Sequence, residues 1–169
     1  MFWPTNNSLT WTLVATGISG INAVSAGWNF SLALTSTGLL YGAGYGGAIG
    51  TGNTANKLTF TQVAGGITGI NAISAGNAHS LALTSGGLLY VTGSNPFGAL
   101  GTGGTATSLT WVQAAAGIPG ISAVSAGAGY SVLLTGLGNL YVTGANTYGA
   151  LGTGDTSDRH AWTQIYQCR

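Results

Sequence analysis

G-I-T-G-I-N-A-I-S-A-G at positions 66–76 returns as G-I-S-G-I-N-A-V-S-A-G at 17–27 and as G-I-P-G-I-S-A-V-S-A-G at 117–127. A period of about fifty residues marks a propeller blade or a solenoid unit. The register holds far beyond this stretch. Tyr41, Tyr90 and Tyr141 align, as do Gly50-Thr51-Gly52, Gly101-Thr102-Gly103 and Gly152-Thr153-Gly154. So do Phe60-Thr61-Gln62-Val63, Trp111-Val112-Gln113-Ala114 and Trp162-Thr163-Gln164-Ile165. The first copy is two residues shorter between Gly44 and Gly50. Repetition of this kind is better at making surfaces than at making one asymmetric catalytic cluster.

Each copy reads as four short strands, predicted in the first at 21–26, 31–35, 39–41 and 58–63. Period-2 apolar runs bounded by Gly, Ser, Thr and Asn are the all-β pattern. Ser36-Thr37-Gly38 and Ser85-Gly86-Gly87 read as hairpin turns. No helical period with caps is visible. The fold class is all-β: three four-stranded propeller-type blades, a partial propeller, plus an extra N-terminal strand. The divisions are 1–16 (a strand or assembly segment) and repeats at 17–65, 66–116 and 117–169, within one structural domain.

The copy at 74–103 carries a more specific signature. It runs small-small-Gly, two variable residues, His79-Ser80, an apolar run, Gly87, Tyr90, Gly93, then Asn95, Gly98, Leu100 and Gly101. This resembles the repeat of the regulator of chromosome condensation family. The third copy keeps Ser131, Gly138, Tyr141, Gly144, Asn146, Gly149, Leu151 and Gly152, with Tyr130 in the histidine's place. The first has Phe30 there, and Ile49 for the leucine. The resemblance runs from about Trp11 to Gln167. It implies blades in a ring, usually seven to a chain, and it implies that a histidine at position 79 packs and hydrogen-bonds within a blade. It also implies nucleotide exchange on a small GTPase with chromatin binding, which needs charged loops that this sequence lacks.

Charged residues make up 3% of the 169, against roughly a quarter in ordinary domains. The cations are Lys57, Arg159 and Arg169 and the acids Asp155 and Asp158. Nucleic acid is therefore not an expected partner, because phosphate neutralisation needs a basic patch. A surface of Thr, Ser, Asn and Gly suits close packing against neighbours, since few charges need desolvating. No run of about 18 apolar residues predicts membrane insertion. The opening M-F-W-P-T-N-N-S has no cationic leader, so no signal peptide is expected.

Four features admit chemistry. G-A-G-Y-G-G at 42–47 fits G-x-G-x-x-G, but no following helix or distant acid accompanies it, so it reads as a blade loop. His79 and His160 stand far apart with no cysteine cluster, so neither is expected to bind metal. Asp155, Asp158 and His160 form a dense polar loop, read as solvated, with a calcium or zinc site as the other reading. Cys168 is either a terminal thiol or an intermolecular bridge.

No cofactor, metal or catalytic group is expected, and the protein is read as no enzyme. Three blades leave two sheet faces raw, and the strand at 10–14 matches a fourth strand with no preceding blade. Expected assembly or binding residues are Trp11, Leu13, Val14, Trp28, Tyr45, Trp162 and Ile165. The function expected is structural: docking on copies of itself or a scaffold protein through blade edges, in a virus particle or an extracellular filament. The alternative is a lectin-like or protein-recognising module, with surface glycans as partners.

Overall fold

A computed structural model describes residues 17–166. Within them the chain forms twelve strands and a single turn of helix. The first blade holds β1 (Ile21–Ala26), β2 (Phe30–Thr35), β3 (Leu40–Gly44), the helix α1 (Gly46–Ile49) and β4 (Lys57–Val63). The second holds β5 (Ile70–Ala75), β6 (His79–Thr84), β7 (Leu89–Gly93) and β8 (Ser108–Ala114). The third holds β9 (Ile121–Ala126), β10 (Tyr130–Thr135), β11 (Leu140–Gly144) and β12 (Arg159–Tyr166). Every blade is a four-stranded antiparallel meander in chain order. The segment 1–16, with its predicted strand at 10–14, lies outside the described residues, as does Cys168.

The local devices repeat with the sequence. Thr35, Thr84 and Thr135 each accept the backbone N–H four residues on (3.0, 3.0 and 3.1 Å), which closes the hairpins. A bulge near the start of each first strand, at Asn22, Asn71 and Ser122, also recurs.

Two details depart from the sequence reading. The third strand runs to Gly44 rather than ending at Tyr41, because Phe30 pairs with Gly44 across the ladder and Tyr45 N–H donates to Asn29 O at 3.0 Å. The stretch at 42–47 is not a plain loop, since α1 begins inside it. In the second blade Asn95 organises this region: its Oδ1 accepts from Leu100 N–H (2.9 Å) and its Nδ2 donates to Gly104 and Ala106 carbonyls. Asn146 holds the third-blade loop in a similar way: its Oδ1 accepts from Leu151 N–H (3.0 Å) and its Nδ2 donates to Asp155 O (2.9 Å) and Thr153 Oγ1 (3.0 Å). The first copy, two residues shorter, has no such asparagine, and one helical turn takes up the chain there instead.

The apolar core lies between blades. One cluster joins Leu32, Leu34, Leu40 and Ile49 of the first blade to Ile70, Ile73 and Ala82 of the second. The other joins Leu81, Leu83, Leu89 and Leu100 of the second to Ile121, Val124 and Leu133 of the third. The second sheet thus spends one face on the preceding blade and one on the following blade, the nearest-neighbour stacking of repeat architectures, while the first and third sheets each pack one face in this way.

Candidate functional site: the joints between blades

The joint between blades is made twice, with the same parts. Its centre is a knob, the Gly-Ala-Ile/Leu-Gly turn after the third strand, which enters a socket on the next blade. Ala48 and Ile49 form the first knob, Ala99 and Leu100 the second, and all four are buried. Ser80 Oγ donates to Ala48 O at 2.7 Å, and Ser131 Oγ donates to Ala99 O at 2.8 Å. Trp111 Nε1 donates to Ile49 O at 3.2 Å. Trp162 takes the corresponding place over Gly101, where any Cβ would strike the indole. Its Nε1 is buried with no hydrogen-bond partner among the described residues.

The Ser-Ala-Gly triplet explains itself at the inner edge. Ala75 N–H donates to Ser25 Oγ across the first joint (3.0 Å), and Ala126 N–H to Ser74 Oγ across the second (2.9 Å). The glycine then lets the next backbone come close. A Cβ on Gly27 would sit 2.7 Å from Gly76 O, and one on Gly76 would sit 2.6 Å from Gly127 O. At the outer edge the Gly-Thr-Gly loops pair with the next blade's last strand. Thr51 bridges to Thr110 and Thr102 to Ala161, with Gly52 N–H to Leu109 O (2.8 Å) and Gly103 N–H to His160 O (2.9 Å).

The second joint adds a buried histidine. His79 Nε2 lies 2.9 Å from Ser131 Oγ. The serine has one proton and uses it on Ala99 O. His79 must therefore be the donor to Ser131, which assigns the Nε2–H tautomer. Burial pushes its pKa down to about 4. Phe30 fills the matching position in the first blade and Tyr130 in the third.

The polar loop at 155–160 is knitted into the third blade. Asp155 Oδ2 accepts from Arg159 Nη2 at 2.7 Å, and its Oδ1 accepts from Ser157 N–H and Thr153 Oγ1, each at 3.0 Å. The Arg159 hydrogen bond, then those from Ser157 and Thr153, hold its carboxyl down at about 2. Asp158 accepts from Asn146 N–H at 2.7 Å. Among the described residues no group of three or more His, Cys, Asp or Glu is placed to hold a metal ion.

Of the residues expected to form the surface, Trp28 is exposed and rims a groove on the first blade, while Ile165 is half-buried on β12. Tyr45 and Trp162 are turned into the chain's own packing, in the first and second core clusters. Trp11, Leu13 and Val14 lie outside the described residues. Residues that sequence reasoning did not select include Ser31, Ala150, Val24 and Leu58. They stand on the two outer blade faces at positions that are joint positions elsewhere. The signal for them was present in the alignment of the copies: Ala150 lies in the Gly-Ala-Leu-Gly repeat, Val24 precedes Ser-Ala-Gly, and Ser31 and Leu58 align with Ser80 and Leu109.

Comparison with known proteins agrees with this geometry. The family model described as the regulator of chromosome condensation (RCC1) repeat matches residues 21–48, 70–99 and 121–150, just over half of the chain. Yeast RCC1 (Prp20), in a crystal structure bound to Kap60, superposes with a TM-score of 0.78 at 23% identity, over 89% of this chain and 38% of that one. The structure of Prp20p from Saccharomyces cerevisiae, reported with its binding properties to Gsp1p and histones, gives 0.74 at 23% identity, over 89% and 39%. Human WBSCR16 gives 0.78 at 23% identity, over 89% and 39%. This chain spans about two-fifths of the length of those proteins. It belongs to the regulator of chromosome condensation repeat family.

Proposed function

We propose that this protein is a non-catalytic structural unit that associates with copies of itself or a scaffold protein through its blade faces. The setting that suits it is a virus particle (a tail, fibre or head decoration) or an extracellular filament. One observation carries the reading: the outer faces of the first and third blades present the residue types by which the chain joins its own blades. The near absence of charge supports it, because such faces meet with little desolvation penalty. The partners named for the yeast structures are those proteins' own, and the charged loops that nucleotide exchange would need are not supplied by five ionic side chains.

Size-exclusion chromatography with light scattering tests the reading. Multiples of the 16.7 kDa chain mass are expected at micromolar concentration. A stable, soluble monomer would sink the assembly claim.

The second reading is a binding module. It is favoured by three grooves at equivalent places between each Gly-Thr-Gly loop and the neighbouring outer strand, of about 390, 380 and 260 Å³. They are lined in part by Thr51 and Gln62, Thr102 and Gln113, and Thr153 and Gln164. A glycan array without hits, together with no effect of replacing Gln62 or Gln113, counts against it.

A further inference from the structure

We infer that the third blade of one copy docks on the first blade of a second copy, its turn at Ala150 entering the groove beside Ser31. This rests on the assembly reading above and gives it a partner, a direction and a register.

The knob and the socket both exist without their counterpart among the described residues. A groove of about 410 Å³ on the first blade is lined by Ser31, Ala43, Lys57, Leu58 and Phe60. By alignment these are the positions of Ser80, Thr92, Ser108, Leu109 and Trp111, where the second blade receives Ala48 and Ile49. Ser31 has no carbonyl to donate to among the described residues, whereas Ser80 and Ser131 each have one. On the third blade, Ala150 is exposed although Ala48 and Ala99 are buried.

The apolar residues around these parts tell the same story in pairs. Ile21 is 40% exposed, while Ile70 and Ile121, packed under the preceding blade, are 4% and 6%. Leu134 is 39% exposed, while Leu34 and Leu83, packed against the following blade, are 1% and 2%. Val24 and Leu58 on the first blade are 76% and 95% exposed. Exposed apolar side chains at these positions are the two halves of one interface.

Two aromatics supply an independent observation. In the second joint Phe97 leans on the loop Ala128–Gly129, closing a small pocket beside His79. The third blade has Tyr148 at the position of Phe97, and the first has Trp28-Asn29 at the position of Ala128-Gly129. Tyr148 and Trp28 are the two most exposed aromatic side chains described. Head-to-tail docking in the register of the existing joints brings them together, with Ser31 Oγ on the partner's Ala150 O and Leu58 O on the partner's Gly154 N–H. The contact joins unlike faces, so it is heterologous and grows into a ring or a filament.

Two single-face variants test the direction. Leu58→Asp disables the groove face and leaves the knob, and Ala150→Asp disables the knob face and leaves the groove. Wild type is expected above the chain mass. Each variant alone is expected at 16.7 kDa, and their equimolar mixture at twice that, one dimer capped at both ends. Self-association by either variant alone means that like faces meet; this overturns the inference and leaves the assembly reading intact. A mixture that stays monomeric while wild type assembles also overturns it. A monomeric wild type overturns both. Circular dichroism checks folding, and Trp28→Asp with Tyr148→Asp is the replacement pair should either first variant unfold.

Discussion

Replacing His79 with phenylalanine should make folding stability insensitive to pH across the range where histidine titrates. His79 is buried, donates from Nε2 to Ser131 Oγ, and has its pKa lowered to about 4 by burial. In the unfolded chain the ring titrates near 6.5. Between these values the unfolded state binds the proton and the folded state does not. The contribution of His79 to stability is therefore complete above pH 6.5, falls as pH drops toward 4, and levels off below. At about 1.4 kcal/mol per pH unit this amounts to about 3 kcal/mol. Asp155 falls outside the window, because its depressed carboxyl loses its stabilising effect only from 3.8 down toward 2. Urea denaturation followed by tryptophan fluorescence, at fixed protein concentration and pH 7, 5.5 and 4.5, reads the slope. Phe30 occupies the matching place in the first blade, so the substitution is one the repeat already accommodates. Wild type should lose most of the 3 kcal/mol and His79→Phe little of it. Equal slopes in the two proteins would refute the assignment of a neutral, buried, donating histidine.

Other substitutions separate the parts of the joint. Ser131→Ala strands both Ala99 O and His79 Nε2–H in a buried site and should cost about 1–3 kcal/mol by the same denaturation assay. Gly76→Ala puts a Cβ 2.6 Å from Gly127 O and should cost about 1–3 kcal/mol. Gly65→Ala, with open space around it, should stay within about 0.5 kcal/mol. Trp111→Phe loses the bond to Ile49 O, whereas Trp162→Phe removes an Nε1 that has no partner among the described residues. The first should exceed the second by about 1 kcal/mol in paired thermal and urea melts.

The blade itself was legible in the chain because strand alternation and hairpin turns are local. The 21–26 strand emerges with the bounds read from its pattern, and the turn at Ser36-Thr37-Gly38 closes as expected. The helix at Gly46–Ile49 was not legible. It arises from a two-residue deficit between fixed glycines, and nothing in G-A-G-Y-G-G-A-I announces a helical period. Trp162 illustrates a different limit. Its place in the repeat could be read, yet which blade it faces depends on the joint, and it turns inward over Gly101. The same holds for the candidate site. Ser-Ala-Gly and Gly-Ala-Leu-Gly were visible as repeats, but their meaning as halves of a joint appears only when Ser80 meets Ala48 across two sheets.

Hydrogen–deuterium exchange at low and high protein concentration tests the open faces most directly, because association covers the backbone there and gives amides such as Gly154 N–H a partner across the joint. Head-to-tail assembly predicts concentration-dependent protection at 21–26 and 149–154 together, with the turn tips at 36–38 and 85–87 unchanged. Exchange independent of concentration at both faces, or protection appearing on only one of them, would contradict it.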